Sequence, residues 1–286
     1  MTPTAPKRVA LFTHRNRTDT STAVARLVEA AAAAGRELTA PPEEIDKHGL
    51  DGAVAPLGAD PADDVDLAMV LGGDGTILHA LRTFAGRQVP VFAINFGAIG
   101  FLATVDRPEL EDGIRRAFAG DFDLLRMPAL ACDFDGETSI AVNDISLHRR
   151  AEARVAELAY SVEREQLAKV RCDGLVAATP AGSTGYNLAN GGPVLAWGVA
   201  GFVVSFIAPH SLTARPLVVA TDSVLRVQNV SREDSVDVST DGRIVATLDP
   251  EQTLGVRFED DRVLLAQVPG SSFYRRLGEK FGRLAY

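Results

Sequence analysis

Scarcity narrows this 286-residue chain first. It has two cysteines, Cys132 and Cys172. Too few for a disulfide framework or a thiolate metal site, they read as small buried residues of a reducing, cytoplasmic protein. There are four lysines (Lys7, Lys47, Lys169 and Lys280), and 29 basic against 38 acidic residues leave a net charge of −9 without a basic run. That excludes nucleic acid or an anionic membrane surface as the main partner. No window is apolar over the length that crosses a bilayer, and the start of the chain enters a short strand without the apolar core of a secretory leader. The five histidines lack zinc-binding spacing, so no protein metal ligands are expected. A G-x-x-x-x-G-K-[ST] run is missing, as is a G-x-G-x-x-G after the first strand. Walker-type nucleotide enzymes and nicotinamide dehydrogenases are thereby disfavoured.

What is present points to two domains. Hydrophobic residues make up 46% of the chain, ample for two cores. Strand and helix signals alternate up to about residue 120. Val9–Thr13, Asp66–Leu71 and Val89–Asn95 read as strands, and Ala23–Ala34, Thr76–Ala85 and Pro108–Ala119 as helices. The proline- and acid-rich residues 41–65 read as a surface excursion. This order predicts an α/β domain. From Met127 short strands dominate, with Asp135-Gly136 as a hairpin turn between Ala129–Phe134 and Thr138–Leu147. Later strands are read at 155–163, 202–207, 224–230, 235–239, 244–248, 254–258 and 263–268. Phe273, Leu277, Phe281 and Leu284 have helical spacing. The expected division is 1–121 joined by a tail, 259–286, with 122–258 as the mostly-β domain.

Chemistry concentrates in a few turns. Leu71-Gly72-Gly73-Asp74-Gly75-Thr76 lies between an apolar strand and a helix start. Glycines admit phosphate to backbone N–H groups, and the helix end adds partial positive charge. A carboxylate there suits a hydroxyl acceptor with the phosphate nearby, which reads as phosphoryl transfer. The lesser alternative is an ordinary strand-to-helix turn in which Asp74 caps the helix that Thr76 opens. Asn95 to Leu102 is a glycine-punctuated turn at a strand end. Asn143-Asp144 interrupts an apolar strand, either as a bulge or as a pair meeting something buried. Arg171 to Tyr186 opens from a strand into small residues and hydroxyls suited to a flat or sugar-like ligand. His210 and Arg215 lie in a loop and are favoured there as loop braces.

In their order, Gly72 to Thr76, Asn95 to Leu102, Asn143-Asp144, Asp173 to Tyr186, His210 to Pro216 and Phe273 to Leu277 resemble the NAD kinases. The glycine turn alone is shared with diacylglycerol, sphingosine and phosphofructo-kinases; Thr-Pro-x-Gly-Ser-Thr-x-Tyr narrows the match. The resemblance implies phosphorylation of the 2′-hydroxyl of the adenosine ribose of NAD to give NADP. The implied donor is ATP, another nucleoside triphosphate or polyphosphate, with Mg²⁺ or a similar cation. It also implies a β-sandwich C-terminal domain, a helical tail returning to the first domain, and a homodimer or homotetramer. Carried over by position, Asp74 is the catalytic carboxylate. The implied binding residues are Gly72, Gly73, Gly75, Thr76, His79, Asn95, Asn143, Asp144, Arg154, Arg171 and Asp173, then Ala181, Thr184, Gly185, Tyr186, Asn187, Leu188, Ala189, Ala208 and Arg243. Ala181, Gly185 and Ala189 depart from the family's usual residues, and the two alanines lack a hydroxyl. Two other readings stay open: a lipid or sugar kinase sharing the glycine turn, and a catalytically silent NAD-binding sensor.

Overall fold

The computed structural model describes residues 4–58, 65–97 and 100–282. Ala98, Ile99 and Leu284, which belong to segments read above, lie outside them. The chain divides into two compact units, residues 1–126 with 262–286, and residues 127–261.

The first unit is a layered α/β structure. Strands β1 (Arg8–Thr13), β2 (Glu37–Ala40), β3 (Ala55–Pro56), β4 (Leu67–Gly72) and β5 (Pro90–Asn95) run parallel in the order β3-β2-β1-β4-β5. β4 and β5 are buried along their whole length, as continuous apolar runs in a parallel sheet should be. Helices α1 (Arg17–Ala33), α2 (Pro42–His48), α3 (Asp74–Thr83) and α4 (Leu110–Ala119) cover the sheet. Alternation separates the faces: Leu11, Leu67, Met69, Leu71, Phe92 and Ile94 share one core with Val24 and Leu27 of α1 and Ile114 of α4. On the other side Phe12 meets the rings of His79 and Phe84 edge-on, against α3.

Two readings are corrected here. α1 begins at Arg17, six residues before the apolar pattern suggests, because Asn16 accepts the N–H of Thr18 as its cap. The excursion at 41–65 contains α2, whose Ile45 and His48 are buried. Pro42 supplies the helical φ at its start, and Gly49 closes it at φ +66°.

The second unit is a β-sandwich. Strands β7 (Asp123–Phe134) and β8 (Glu137–Ala141) form the hairpin, with Asp135 and Gly136 both at positive φ (49° and 83°). The short β6 (Val105–Asp106) precedes them in the first unit. β9 is Asp144–Arg149, β10 Ala156–Val162, β11 Glu165–Cys172, β12 Gly174–Ala178, β13 Gly201–Ile207, β14 Leu217–Ala220, β15 Leu225–Asn229, β16 Val236–Thr240, β17 Arg243–Leu248 and β18 Thr253–Gln267. One layer is antiparallel in the order β14-β13-β12-β9-β16-β17, and β11, β10, β15 and the first part of β18 belong to the other. Leu158, Val227 and Leu254 from one layer share a core with Leu147, Leu175, Phe202 and Val238 from the other.

The stretch read as one strand, Thr138–Leu147, is two. The chain leaves β8 at Ala141 and enters the other layer as β9 at Asp144, so Val142 and Asn143 form the corner. The converse holds at 254–268, where two expected strands are the single β18. Its end, Leu264 and Leu265, pairs parallel with Pro90 and Val91 of β5 and so returns the chain to the first unit. The one-turn helix α5 (Tyr186–Ala189) lies in the second unit, after β12, and helix α6 (Phe273–Gly282) follows β18 within the first.

Candidate active site

In the first unit the site grows from the carboxyl ends of β4 and β5, where parallel α/β sheets bind ligands. The chain turns sharply at Gly72-Gly73 into α3. A Cβ on Gly72 would collide with the Thr76 side chain, and one on Gly73 would press on the Gly97 backbone, so the two turns meet glycine to glycine. Asn95 holds the second turn: its Oδ1 accepts the Gly97 N–H at 3.0 Å and its Nδ2 donates to Asp106 Oδ1 at 3.1 Å.

Asp74 is the first residue of α3, yet its carboxylate does not cap that helix. It points across to the next turn, where Oδ2 accepts the N–H of Phe101 at 2.9 Å and Oδ1 that of Leu102 at 3.2 Å. Burial raises its pKa. The two N–H bonds and the charges of Lys280 and Arg276 act in the opposite sense. Arg276 Nη1 donates to the carbonyls of Phe101, at 2.9 Å, and Ala103, so α6 braces the same turn from behind. The arrangement is a pre-oriented carboxylate able to accept a hydrogen bond from a hydroxyl. Thr76 and Gly75 flank it in the first turn, and His79 is exposed one turn further on.

In the second unit a separate cluster of candidate residues gathers around the corner between β8 and β9. The carboxylate of Asp241, in the turn between β16 and β17, accepts the N–H groups of Val142, Asn143 and Asp144 at 3.0, 2.7 and 3.2 Å. The Asp241 N–H donates in return to the Asp144 carbonyl at 2.9 Å. Neither Asn143 nor Asp144 therefore needs its side chain to hold the corner. Asp144 is buried, and burial together with the nearby negative charge of Asp241 pushes its pKa up to about 7. Asn143 Oδ1 is buried without a hydrogen-bond partner. Beside this corner the rings of His148 and Tyr186 stack 9° from parallel with centroids 5.6 Å apart. Burial lowers the His148 pKa and raises that of Tyr186, so a neutral pair of rings forms this wall.

The loop after β12 wraps around the corner. Thr179 Oγ1 donates to the Val142 carbonyl at 2.7 Å, and a Cβ on Gly182 would run into the Asn143 carbonyl. Ser183 Oγ donates to the Pro180 carbonyl and accepts the Leu195 N–H. The expectation that hydroxyls of this loop bind a ligand is corrected for these two, which are fully buried and hold backbone.

Comparison with known proteins fits this geometry. Residues 56–122 match the model of the ATP-NAD kinase N-terminal domain, and residues 142–267 that of the ATP-NAD kinase C-terminal domain. The chain is 36% identical over 224 residues to the NAD kinase of Gemmatimonas aurantiaca, covering 76% of this chain and 78% of that one. The chain belongs to the NAD kinase family. It is also 29% identical over 287 residues to the NAD kinase of Lachnoclostridium phytofermentans, spanning 96% and 99% of the two chains. Yeast NADH kinase complexed with NADH superposes at a TM-score of 0.88 with 25% identity, covering 98% of this chain and 88% of that one. An NAD kinase from Archaeoglobus fulgidus in complex with ATP shares the fold, at a TM-score of 0.76 with 23% identity, over 97% and 98%.

The residues that the NAD kinase resemblance singles out form two clusters, and the rest are scattered. Gly72, Gly73, Asp74, Gly75, Thr76, His79 and Asn95 cluster at the glycine turns of the first unit. Asn143, Asp144, Ala181, Thr184, Gly185, Tyr186, Asn187, Leu188 and Ala189 lie at the corner and its covering loop. Within this group Asn187 is fully buried, and its Nδ2 donates to the Ser183 and Pro193 carbonyls, so its side chain secures the loop. Ala181 is buried, its carbonyl accepting the Thr184 hydroxyl at 3.1 Å, whereas Ala189 is exposed. Arg171 lies near the end of β11, and Asp173 links β11 to β12. Asp173 is paired with Arg149 at 2.7 Å, and the exposed Arg171 with Glu157 at 3.2 Å. Ala208, at φ +43°, directly follows β13. Arg154 and Arg243 are exposed, in the loop before β10 and at the start of β17. Sequence reading also passed over the contributions of Asp241, His148 and Arg149. Asp241-Gly242 is a turn signal, but that its carboxylate would reach residues 142–144, about a hundred positions away, has no local signature. Arg215, favoured as a loop brace, donates to the carbonyls of Leu212 and Ala214.

Proposed function

We propose that this chain transfers a phosphoryl group to the 2′-hydroxyl of the adenosine ribose of NAD, giving NADP. The observation that carries the reading is Asp74, a carboxylate pre-oriented by two N–H groups at the end of a phosphate-type glycine turn. In a loose phosphoryl-transfer transition state the hydroxyl need not be deprotonated early. Asp74 orients the hydroxyl and takes its proton late, and the burial that raises its pKa makes it a better acceptor. The dinucleotide is held by the second unit. The orphaned Asn143 Oδ1 accepts a hydrogen bond, Asp144 contributes a carboxyl that titrates near neutrality, and Tyr186 offers a ring face.

Among the described residues no group of three or more His, Cys, Asp or Glu side chains converges in a way that could hold a metal ion. A Mg²⁺ or similar cation accordingly enters in this proposal with the donor, as the metal complex of a polyphosphate. ATP or inorganic polyphosphate is the donor we propose. A homodimer or homotetramer is the assembly, and the cytoplasm, suited to two buried free thiols, the compartment.

The test is NADP formation from NAD with Mg²⁺, run with ATP and with polyphosphate, using Asp74→Asn. Turnover should fall by roughly 10²–10⁴-fold while NAD binding by calorimetry stays within about twofold. NAD binding without product from either donor in the unaltered protein would instead mark a silent dinucleotide sensor.

A further inference from the structure

Strand β9 sends alternate side chains to opposite faces. Ile145 and Leu147 enter the core of the sandwich, while Asp144, Ser146 and His148 share the other face. That row spans about 13 Å. His148 stands at its far end, between Gly174 of β12 and Asp237 of β16. Gly174 brings no side chain there, and a Cβ on it would run into the Leu147 carbonyl. Asp237 is engaged elsewhere, by Arg150 at 3.7 Å and the Thr247 hydroxyl at 3.3 Å. Two contacts hold the imidazole: Nε2 and the buried Ser146 Oγ hydrogen-bond at 3.0 Å, and one ring face lies on Tyr186.

Tyr186 has need of such a neighbour. It opens the one-turn α5, and 37% of it is exposed. An exposed side chain at the start of so short a helix has several staggered rotamers open to it. The near-parallel stack on His148, 9° between planes with centroids 5.6 Å apart, selects one of them. An aromatic ring has two faces, and with His148 on one the other remains for a flat ligand.

We propose that His148 is a positioning residue for the dinucleotide: it stacks behind Tyr186, fixes the plane of that ring and leaves the opposite face to receive a planar ring of NAD. The inference rests on the assignment of Tyr186 to the NAD site. A ring held in its bound orientation before the ligand arrives has less freedom to lose on binding. Because His148 works through a ring that holds substrate, its contribution falls on affinity for NAD and not on the chemical step.

NAD, titrated calorimetrically into the full chain, is the probe. His148→Ala, and His148→Leu, which fills the space without a ring plane, should each weaken binding by about three- to tenfold. His148→Phe, which restores a planar ring, should return it to within about twofold. The deciding comparison is made on Tyr186→Ala, where adding His148→Ala should change the affinity by less than about twofold, since its route to the ligand is gone. In turnover the loss should appear in the KM for NAD and leave kcat and the KM for the donor within about twofold. Equal losses with and without Tyr186, no loss in either the alanine or the leucine variant, a phenylalanine variant as weak as the leucine one, or a fall in kcat overturns the role of His148 alone. If the unaltered protein does not bind NAD, the dinucleotide reading fails and this role fails with it.

Discussion

Two aspartates, the half-buried Asp74 and the buried Asp144, sit in opposite electrostatic settings. Asp74 receives two backbone N–H bonds and feels two nearby cations, whereas the Asp144 carboxyl is buried facing another negative charge, that of Asp241. Burial raises both, but only Asp144 is driven to about 7. The sign of its effect on stability follows. A carboxyl whose folded pKa lies above the unfolded 3.8 favours the folded state at low pH, and that contribution is lost as pH rises to about 7. Asp144→Asn removes the titration. Between pH 5 and pH 8 the unaltered, ligand-free protein should lose roughly 1–3 kcal/mol more stability than the variant, measured by urea unfolding of both. Parallel pH dependences would show that Asp144 is already relieved in the folded state. The adjacent pair Asn143-Asp144 was legible in sequence as two polar groups in an apolar strand. Which charge sat beside them was not.

At the scale of elements, the corner between β8 and β9 is the most consequential feature. A single strand continuing through Thr138–Leu147 would have kept residues 142–144 in a ladder. Because the chain changes layers there, three consecutive N–H groups need another acceptor, and Asp241 supplies it. Asp241→Ala should cost about 2–4 kcal/mol in urea unfolding at pH 5, where Asp144 is protonated and relief of charge repulsion does not mask the loss. Asp241→Asn, which keeps one carbonyl oxygen, should recover part of it. An alanine variant as stable as the original would mean that water fills the corner. The hairpin at Asp135-Gly136 and the strands β4 and β5 were readable because turn chemistry and apolar runs are local signals. Helix α2 was hidden by its proline and acidic residues, which read as a loop although Pro42 at a first helical turn and Glu43-Glu44 near the N-terminus suit a helix.

For the whole molecule, the two units carry separate cores, and β18 runs from the second back into the first. No helix among the described residues is long and apolar enough to cross a membrane. The proposed assembly gives a direct expectation: light scattering should report twice or four times the 30.4 kDa chain mass at micromolar concentration. A mass of one chain would remove the oligomer from the proposal.

Local sequence was enough to determine the alternation of strands and helices in the first unit, the β-rich second half, and the glycine turn with its aspartate. Each of these depends on residues within a few positions of one another, where periodicity and turn chemistry operate. Tertiary structure alone decided that Asp74 reaches Phe101 and Leu102 instead of capping its own helix, and that Thr179 and Ser183 serve the backbone. It likewise decided that Asp241 organises a corner a hundred residues earlier and that α6 brings Arg276 behind the Asp74 turn. The direction of a polar side chain depends on which donors and charges the fold packs against it, and those partners lie too far along the chain for any local pattern to specify.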